Sequence, residues 1–400
     1  MIRGTSTLTA VRSMEGDRVT TLELFFDLAF VFAFTQLSRL MAQEHDLIGV
    51  VQAMTILALL WWSWNSYGWL ANLAHADQGW VRAVMLVAMG SMVIVGVTVL
   101  EAYHDLRGGL FAPLVFVGAY LLARITHIFA FAVVSARPLR RRAFLTSLLA
   151  VVPSGVLLIA GAMIGGGWQL GLWLAAVVIE PVVTHRMSSG VDWRVGSTVH
   201  FTERHGLIVI LAIGESIIAI GAGVAQEPID LPILLGIVCA LVVAAGFWWA
   251  YFSRLAHDAE GALARRDEGD RARTARDAYT YLHLLIVAGI VFAALGIEEA
   301  LAHVGSAAPL GWFNAAALGG GTAGYLAATV WFRWRTTGET NAVRLTGAVA
   351  SVLIVPLLGA LPALGALAVV SLVVVGALGL ESMSRGSRRR CGSGDRSTSA

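Results

Sequence analysis

Residues 200–221 read HFTERHGLIVILAIGESIIAIG. The run is apolar enough to cross a bilayer, yet it carries Glu215 about eleven residues inside. Residues 21–38, TLELFFDLAFVFAFTQLS, repeat the problem, with Glu23 and Asp27 four residues apart on one helical face. A charged side chain at mid-helix costs roughly 2.5–3.5 kcal/mol on insertion scales. Such residues are tolerated where a helix turns them toward other helices and away from lipid. Both stretches therefore call for a bundle of membrane-spanning helices with a polar interior.

The composition of the rest of the chain agrees. Of 400 residues, 57% are hydrophobic and only 14% charged, where soluble domains carry about a quarter. Mean hydropathy is +0.74. The alternating pattern of an outer-membrane barrel is absent, so helices must satisfy the backbone in lipid. The fold class predicted is an all-α polytopic membrane protein. A net charge of +2 gives no field suited to nucleic acid. The first 19 residues are polar, without a short apolar core or cleavage site, so the first apolar run is expected to be retained.

Twelve apolar runs have the length of a span: 20–41, 48–70, 80–102, 110–134, 142–164, 168–186, 204–224, 231–253, 277–302, 311–333, 342–359 and 362–383. All 28 basic residues are Arg. With a cytoplasmic N-terminus, 25 of them fall in inner segments and only Arg39 and Arg107 in outer loops. Arg124 lies inside a span. This asymmetry predicts both termini inside.

Aromatic and small-residue blocks recur in order. LLWWSWNSY (59–67) matches GFWWAYFSR (246–254), and GAYLLA (118–123) matches AGYLAA (323–328). The order suggests a 6 + 6 duplication with parallel halves, an arrangement common among secondary transporters. The expected organisation is a cytoplasmic segment 1–19, a first half 20–186, a polar linker 187–203, a second half 204–383 and a disordered tail 384–400. The connector 255–276 is charged and expected to be helical. Gly319, Gly320 and Gly321 suit either local unwinding or close helix packing.

Polar residues inside the spans form the candidate site. Glu23, Asp27, Arg124, His127, Glu180, Glu203 and Arg204 fall in the cytoplasmic half, while Gln36, Glu215 and Ser216 lie nearer the midplane. Arg124 is expected to pair with Asp27, Glu23 or Glu180. Glu23 and Arg204 could equally reach lipid headgroups. Pro181, next to Glu180, should open the helix backbone. In HFTERH, His200 and His205 bracket Glu203, but a five-residue gap on a helix turns the two His apart, so no metal is expected. Cys239 and Cys391 sit in unlike surroundings and suggest no disulfide. No Walker A motif, nucleophile elbow or potassium-filter sequence appears. Neither an enzyme nor a cofactor is expected.

The stretches 21–38 and 200–221, with ARITHI at 123–128, resemble the signature segments of the bacterial low-temperature-requirement A family. The matching positions are Glu23, Phe25, Phe26, Asp27, Gln36, Glu203, Arg204, Gly206, Gly214, Glu215 and Ser216. The resemblance implies a multi-span inner-membrane protein associated with growth in the cold. A fainter likeness is to duplicated six-span lysosomal potassium channels, through Phe25-Phe26-Asp27. The residues themselves point first to a secondary transporter, proton-coupled through buried carboxylates. An ion channel and a non-transport component of cold adaptation are the alternatives. Expected partners are membrane lipids and a small solute or ion, with a homo-oligomer left open.

Overall fold

The computed structural model describes residues 16–135, 140–188, 195–225 and 228–394. Among these the chain is all helical and has no strand. The elements are α1 (Thr21–Glu44), α2 (Leu47–Leu73), α3 (Gly79–Thr98), α4 (Ala112–Val134), α5 (Arg140–Ile164), α6 (Gly166–Ser188), α7 (Thr198–Val224) and α8 (Leu231–Phe252). They continue as α9 (Leu255–Ala264), α10 (Glu268–Thr274), α11 (His283–Ala302), α12 (Trp312–Ala315), α13 (Gly321–Thr337), α14 (Ala342–Leu353), α15 (Val355–Ala360) and α16 (Ala363–Gly394). Two π-helical turns interrupt them, Ala275–Leu282 before α11 and Ala316–Gly320 between α12 and α13.

Eleven described helices are long and apolar enough to cross a membrane. The tenth predicted run, 311–333, is not among them. It is helical from Trp312 to Thr337, through the π turn Ala316–Gly320. The glycine run lies at the end of this turn. The connector 255–276 is helical, as expected, and Asp267 caps α10 by accepting from Asp270 N at 2.8 Å. In the stretch 384–400, α16 continues to Gly394, while 395–400 and residues 189–194 of the linker 187–203 lie outside the described residues.

The chain forms two compact units: residues 1–211 with 263–280, and residues 212–262 with 281–400. In the first, α1 packs on α2 and α3, α4 on α3 and α5, and α6 on α5 and α2. Helix α1 shows why the sequence folds this way. Leu24, Phe25, Leu28 and Phe32 are exposed along one side, where lipid would lie, while Glu23, Phe26, Asp27 and Phe30 are buried along the other. The charged side faces protein and the apolar side faces out, the reverse of a soluble helix. A short turn closes α1: His45 adopts a left-handed conformation and Asp46 caps α2 through Gly49 N at 2.7 Å.

In the second unit, α11 packs on α13 and α8 on α16. Glycines let α11 and the α12–α13 segment approach backbone to backbone. A Cβ at Gly296 would sit 2.3 Å from Leu318 N, and one at Gly321 would sit 2.3 Å from Ala293 N. Arg344 at the start of α14 and Glu381 on α16 form a buried two-point pair, Nε to Oε2 and Nη2 to Oε1, both 3.1 Å. The sequence reading did not anticipate this lock.

Gly296→Ala should therefore force two backbones apart and destabilise the protein by roughly 1–3 kcal/mol. Gly90→Ala, where a Cβ meets nothing within 4 Å, should leave stability equal or higher. Thermal unfolding of the two purified variants in detergent compares them.

Candidate functional site

The N-terminus of α1 places the first acid. Thr20 is its cap, and Glu23 reaches back, so that Thr20 N and Oγ1 both donate to Glu23 Oε2 at 2.9 Å. This is a capping box, T-x-x-E ahead of an apolar run. It leaves Glu23 Oε1 free to face inward. One helical turn later, Asp27 points to the same interior, fully buried.

Helix α7 supplies the counter-charges. Ser197 caps it through His200 N at 3.2 Å. His200 Nε2 then lies 2.9 Å from Glu23 Oε1. Arg204, one turn on, lies 3.3 Å from Glu23 Oε1 through Nη1 and donates from Nη2 to Asp27 Oδ1 at 2.9 Å. Trp64 of α2 donates from Nε1 to the same Oδ1 at 2.8 Å. The Arg204 guanidinium sits against the Phe26 and Trp64 rings, at 5.8 and 5.5 Å from their centroids. Arg204 is 1% exposed. It is a core residue and does not reach toward headgroups.

Asn72 of α2 fixes the state of His200. Its Oδ1 accepts from Gly196 N at 2.7 Å and its Nδ2 donates to Ser197 O at 2.7 Å. The amide is thus oriented with Nδ2 toward His200 Nδ1, 3.4 Å away. A donor facing Nδ1 makes that nitrogen an acceptor. His200 then carries its hydrogen on Nε2 and donates it to Glu23.

A second pair lies in the same unit. Arg124 of α4 donates from Nη2 to Glu180 Oε1 of α6, and Tyr120 donates to Glu180 Oε2 at 3.4 Å. Of the three partners the sequence allowed for Arg124, Glu180 is the one it meets. Pro181 follows Glu180 inside α6 and removes the helical donor to the Val177 carbonyl. Tyr67 stands between the two charge groups. Its ring lies 5.3 Å from Phe26 and 5.4 Å, edge on, from His127. His127 itself is buried and stacks on Phe131.

The remaining predicted residues lie elsewhere. Glu203 is a third exposed and anchors the N-terminal segment, accepting from Val19 N at 3.2 Å with Arg18 at 4.0 Å. It does not join the buried acids. His205 turns away from His200 into Trp64, Phe201 and Tyr279. Gln36 is buried in α1. Glu215 and Ser216 are buried too, in the part of α7 that belongs to the second unit. The sequence reading missed Trp64, Asn72 and the true role of His200. Two signals were available: the Ser197 cap, which puts His200 in the first turn of α7, and the capping box at Thr20.

Removing Arg204 while leaving both acids should cost about 3–5 kcal/mol, because it strands buried negative charge. We expect Arg204→Gln to unfold far below the wild type on heating in detergent. Adding Glu23→Gln and Asp27→Asn to it should recover most of the loss.

The chain matches the model of the family described as bacterial low temperature requirement A protein over residues 18–378. It is 29% identical over 329 residues to an uncharacterized protein of Rhizobium meliloti (strain 1021), covering 78% of this chain and 76% of that protein. No solved structure matches it. The match takes in α1, α4, α6 and α7 and so every residue of the buried charge cluster, and the chain belongs to the bacterial low temperature requirement A family.

Proposed function

We propose that this chain is a proton-coupled secondary transporter of the bacterial inner membrane, with Asp27 as its proton-carrying position. One observation carries this reading. Glu23, Asp27, Arg204 and His200 are all at most 3% exposed, and two carboxylates face one guanidinium. Counting Glu23, Asp27 and Arg204, the group has one more carboxylate than guanidinium. A net charge buried among helices in hydrocarbon is far more costly than a bound proton. Glu23 is saturated by Thr20, His200 and Arg204. Asp27 Oδ2 has no hydrogen-bond partner. The proton therefore belongs on Oδ2, with Oδ1 left to accept from Trp64 and Arg204.

Such a group responds to both proton and partner. Loss of the proton strengthens the hold of Arg204 on Asp27 and tightens α1 against α7. Its return loosens that hold. Arg124–Glu180, joined to this site through Tyr67 and His127, forms the inner gate, and the buried Glu215 and Ser216 of α7 contribute a further polar position. The arginine distribution supports twelve crossings with both termini inside, and the recurring aromatic blocks support parallel six-helix halves. Activity of this kind would meet a need for growth in the cold.

The test is proton movement into liposomes holding the purified protein, with internal pH and membrane potential followed under an imposed proton gradient. Wild type should move protons. Asp27→Asn, which is neutral without one, should lose at least nine-tenths of the flux and remain folded. Potassium-driven voltage without proton movement would favour the channel reading. Equal flux in wild type and Asp27→Asn would remove Asp27 from the mechanism.

A further inference from the structure

The residues that lead into α1 are tied down in more places than a helix cap requires. Thr20 is the cap, and its two bonds to Glu23 Oε2 lie within the entry to α1. The three residues before it reach α7 and the loop after α2. Val19 N donates to Glu203 Oε2 of α7 at 3.2 Å, and Arg18 Nη1 lies 4.0 Å from Glu203 Oε1. Asp17 O accepts from Ser197 Oγ, the cap of α7, at 3.2 Å. The Asp17 carboxylate lies 3.4 Å from Nε2 of His75, just past the end of α2. Residues 17–20 therefore join the neighbouring ends of α1, α2 and α7. These same helices build the buried cluster, with Glu23 and Asp27 on α1, Trp64 and Asn72 on α2, and His200 and Arg204 on α7.

The ties differ in strength along the segment. At the inner end Thr20 meets a fully buried carboxylate. At the outer end the His75 and Asp17 side chains are 24% and 29% exposed, Glu203 is 34% exposed and Arg18 79%. Ion pairs open to water add little to stability, since water competes for both partners. A segment held this way opens locally while the bundle stays folded. When it lifts, the Thr20 donors leave Glu23 Oε2 and water takes their place. Asp27 lies one turn further in. We infer that residues 17–20 are a lid over the buried acids, latched by Glu203 and His75, whose lifting gives water access to Glu23 and then to Asp27. Glu203, which stands apart from the buried acids, thereby gains a purpose as the latch. What the lid serves rests on the proton-coupled reading, in which a proton must reach an acid sealed from water.

The measurement is chemical labelling of the purified full chain in lipid nanodiscs with a water-soluble carbodiimide and glycinamide, which together convert a carboxyl group that meets water into an amide. Mass spectrometry reads the rate at Glu23 and, as an internal control, at Glu180, a buried acid held by Arg124 and Tyr120 away from the lid. Glu203→Ala removes the acceptor for Val19 N. It should speed labelling of Glu23 roughly tenfold and leave Glu180 unchanged, because it raises the population of the open segment. His75→Ala, which breaks a partly exposed pair, should act in the same direction and decides the matter if the first variant does not fold. Two results would overturn the lid: an unchanged Glu23 rate in the folded variant, or an equal rise at Glu180, which marks a general loosening of the bundle. Faster labelling confined to Glu23, without proton movement in liposomes, supports the lid and removes the transport reading. Unchanged labelling with intact proton movement removes the lid alone.

Discussion

A guanidinium buried among apolar helices must have its charge answered by the protein, because lipid cannot do it. Arg204 imposes this condition on much of the first unit. It sits on α7, so α7 must present it to an element carrying acids on its inner side. Helix α1 does so, with Glu23 and Asp27 one turn apart. That in turn fixes the rotation of α1, with Phe25 and Leu28 outward and Phe26 inward. Trp64 and Asn72 then fix α2, one by donating to Asp27 and the other by orienting His200. The polar interior is thus specified by a few strong, directional contacts, and apolar packing fills in around them.

Such contacts are poor sources of net stability, since desolvating two charges consumes most of what their attraction returns. Their value lies in register and in response. A helix held by an ion pair has a preferred rotation that apolar side chains alone do not give it. A pair with an odd number of charges also changes strength when a proton arrives. The Arg344–Glu381 contact, balanced and two-pointed, has the first property without the second. The α1–α7 cluster has the first, and the proposed transport reading gives it the second.

Much of this was legible in the residues. Hydropathy located the helices, since about 20 apolar residues have one stable answer in lipid. The tenth run is helical from Trp312 to Thr337 yet is not among the eleven, and its π turn beside three glycines is backbone geometry that hydropathy does not record. For the site, spacing within one helix was readable: Glu23 with Asp27, and Arg124 with His127. Pairing between helices was not, because it depends on which faces the bundle brings together. Arg124 was left with three partners for that reason. Arg204 looked equally suited to the headgroups and to the core, since its distance from the helix start fits either. Asn72 could not be found at all. Its function is to orient one amide toward one imidazole, and nothing in a single sequence marks that. Glu203 misled by its neighbours, for it shares a turn with Arg204 but faces the other way.

The proton on Asp27 is the point from which the functional reading follows. Infrared spectra of the reconstituted protein near neutral pH, recorded for wild type and for Asp27→Asn, report it directly. A carboxylic-acid carbonyl stretch present in wild type and missing from the variant places the proton there. A difference spectrum showing instead the loss of an ionised carboxylate would mean that Asp27 is charged at rest, and the cluster would then be a structural tie without a proton to exchange.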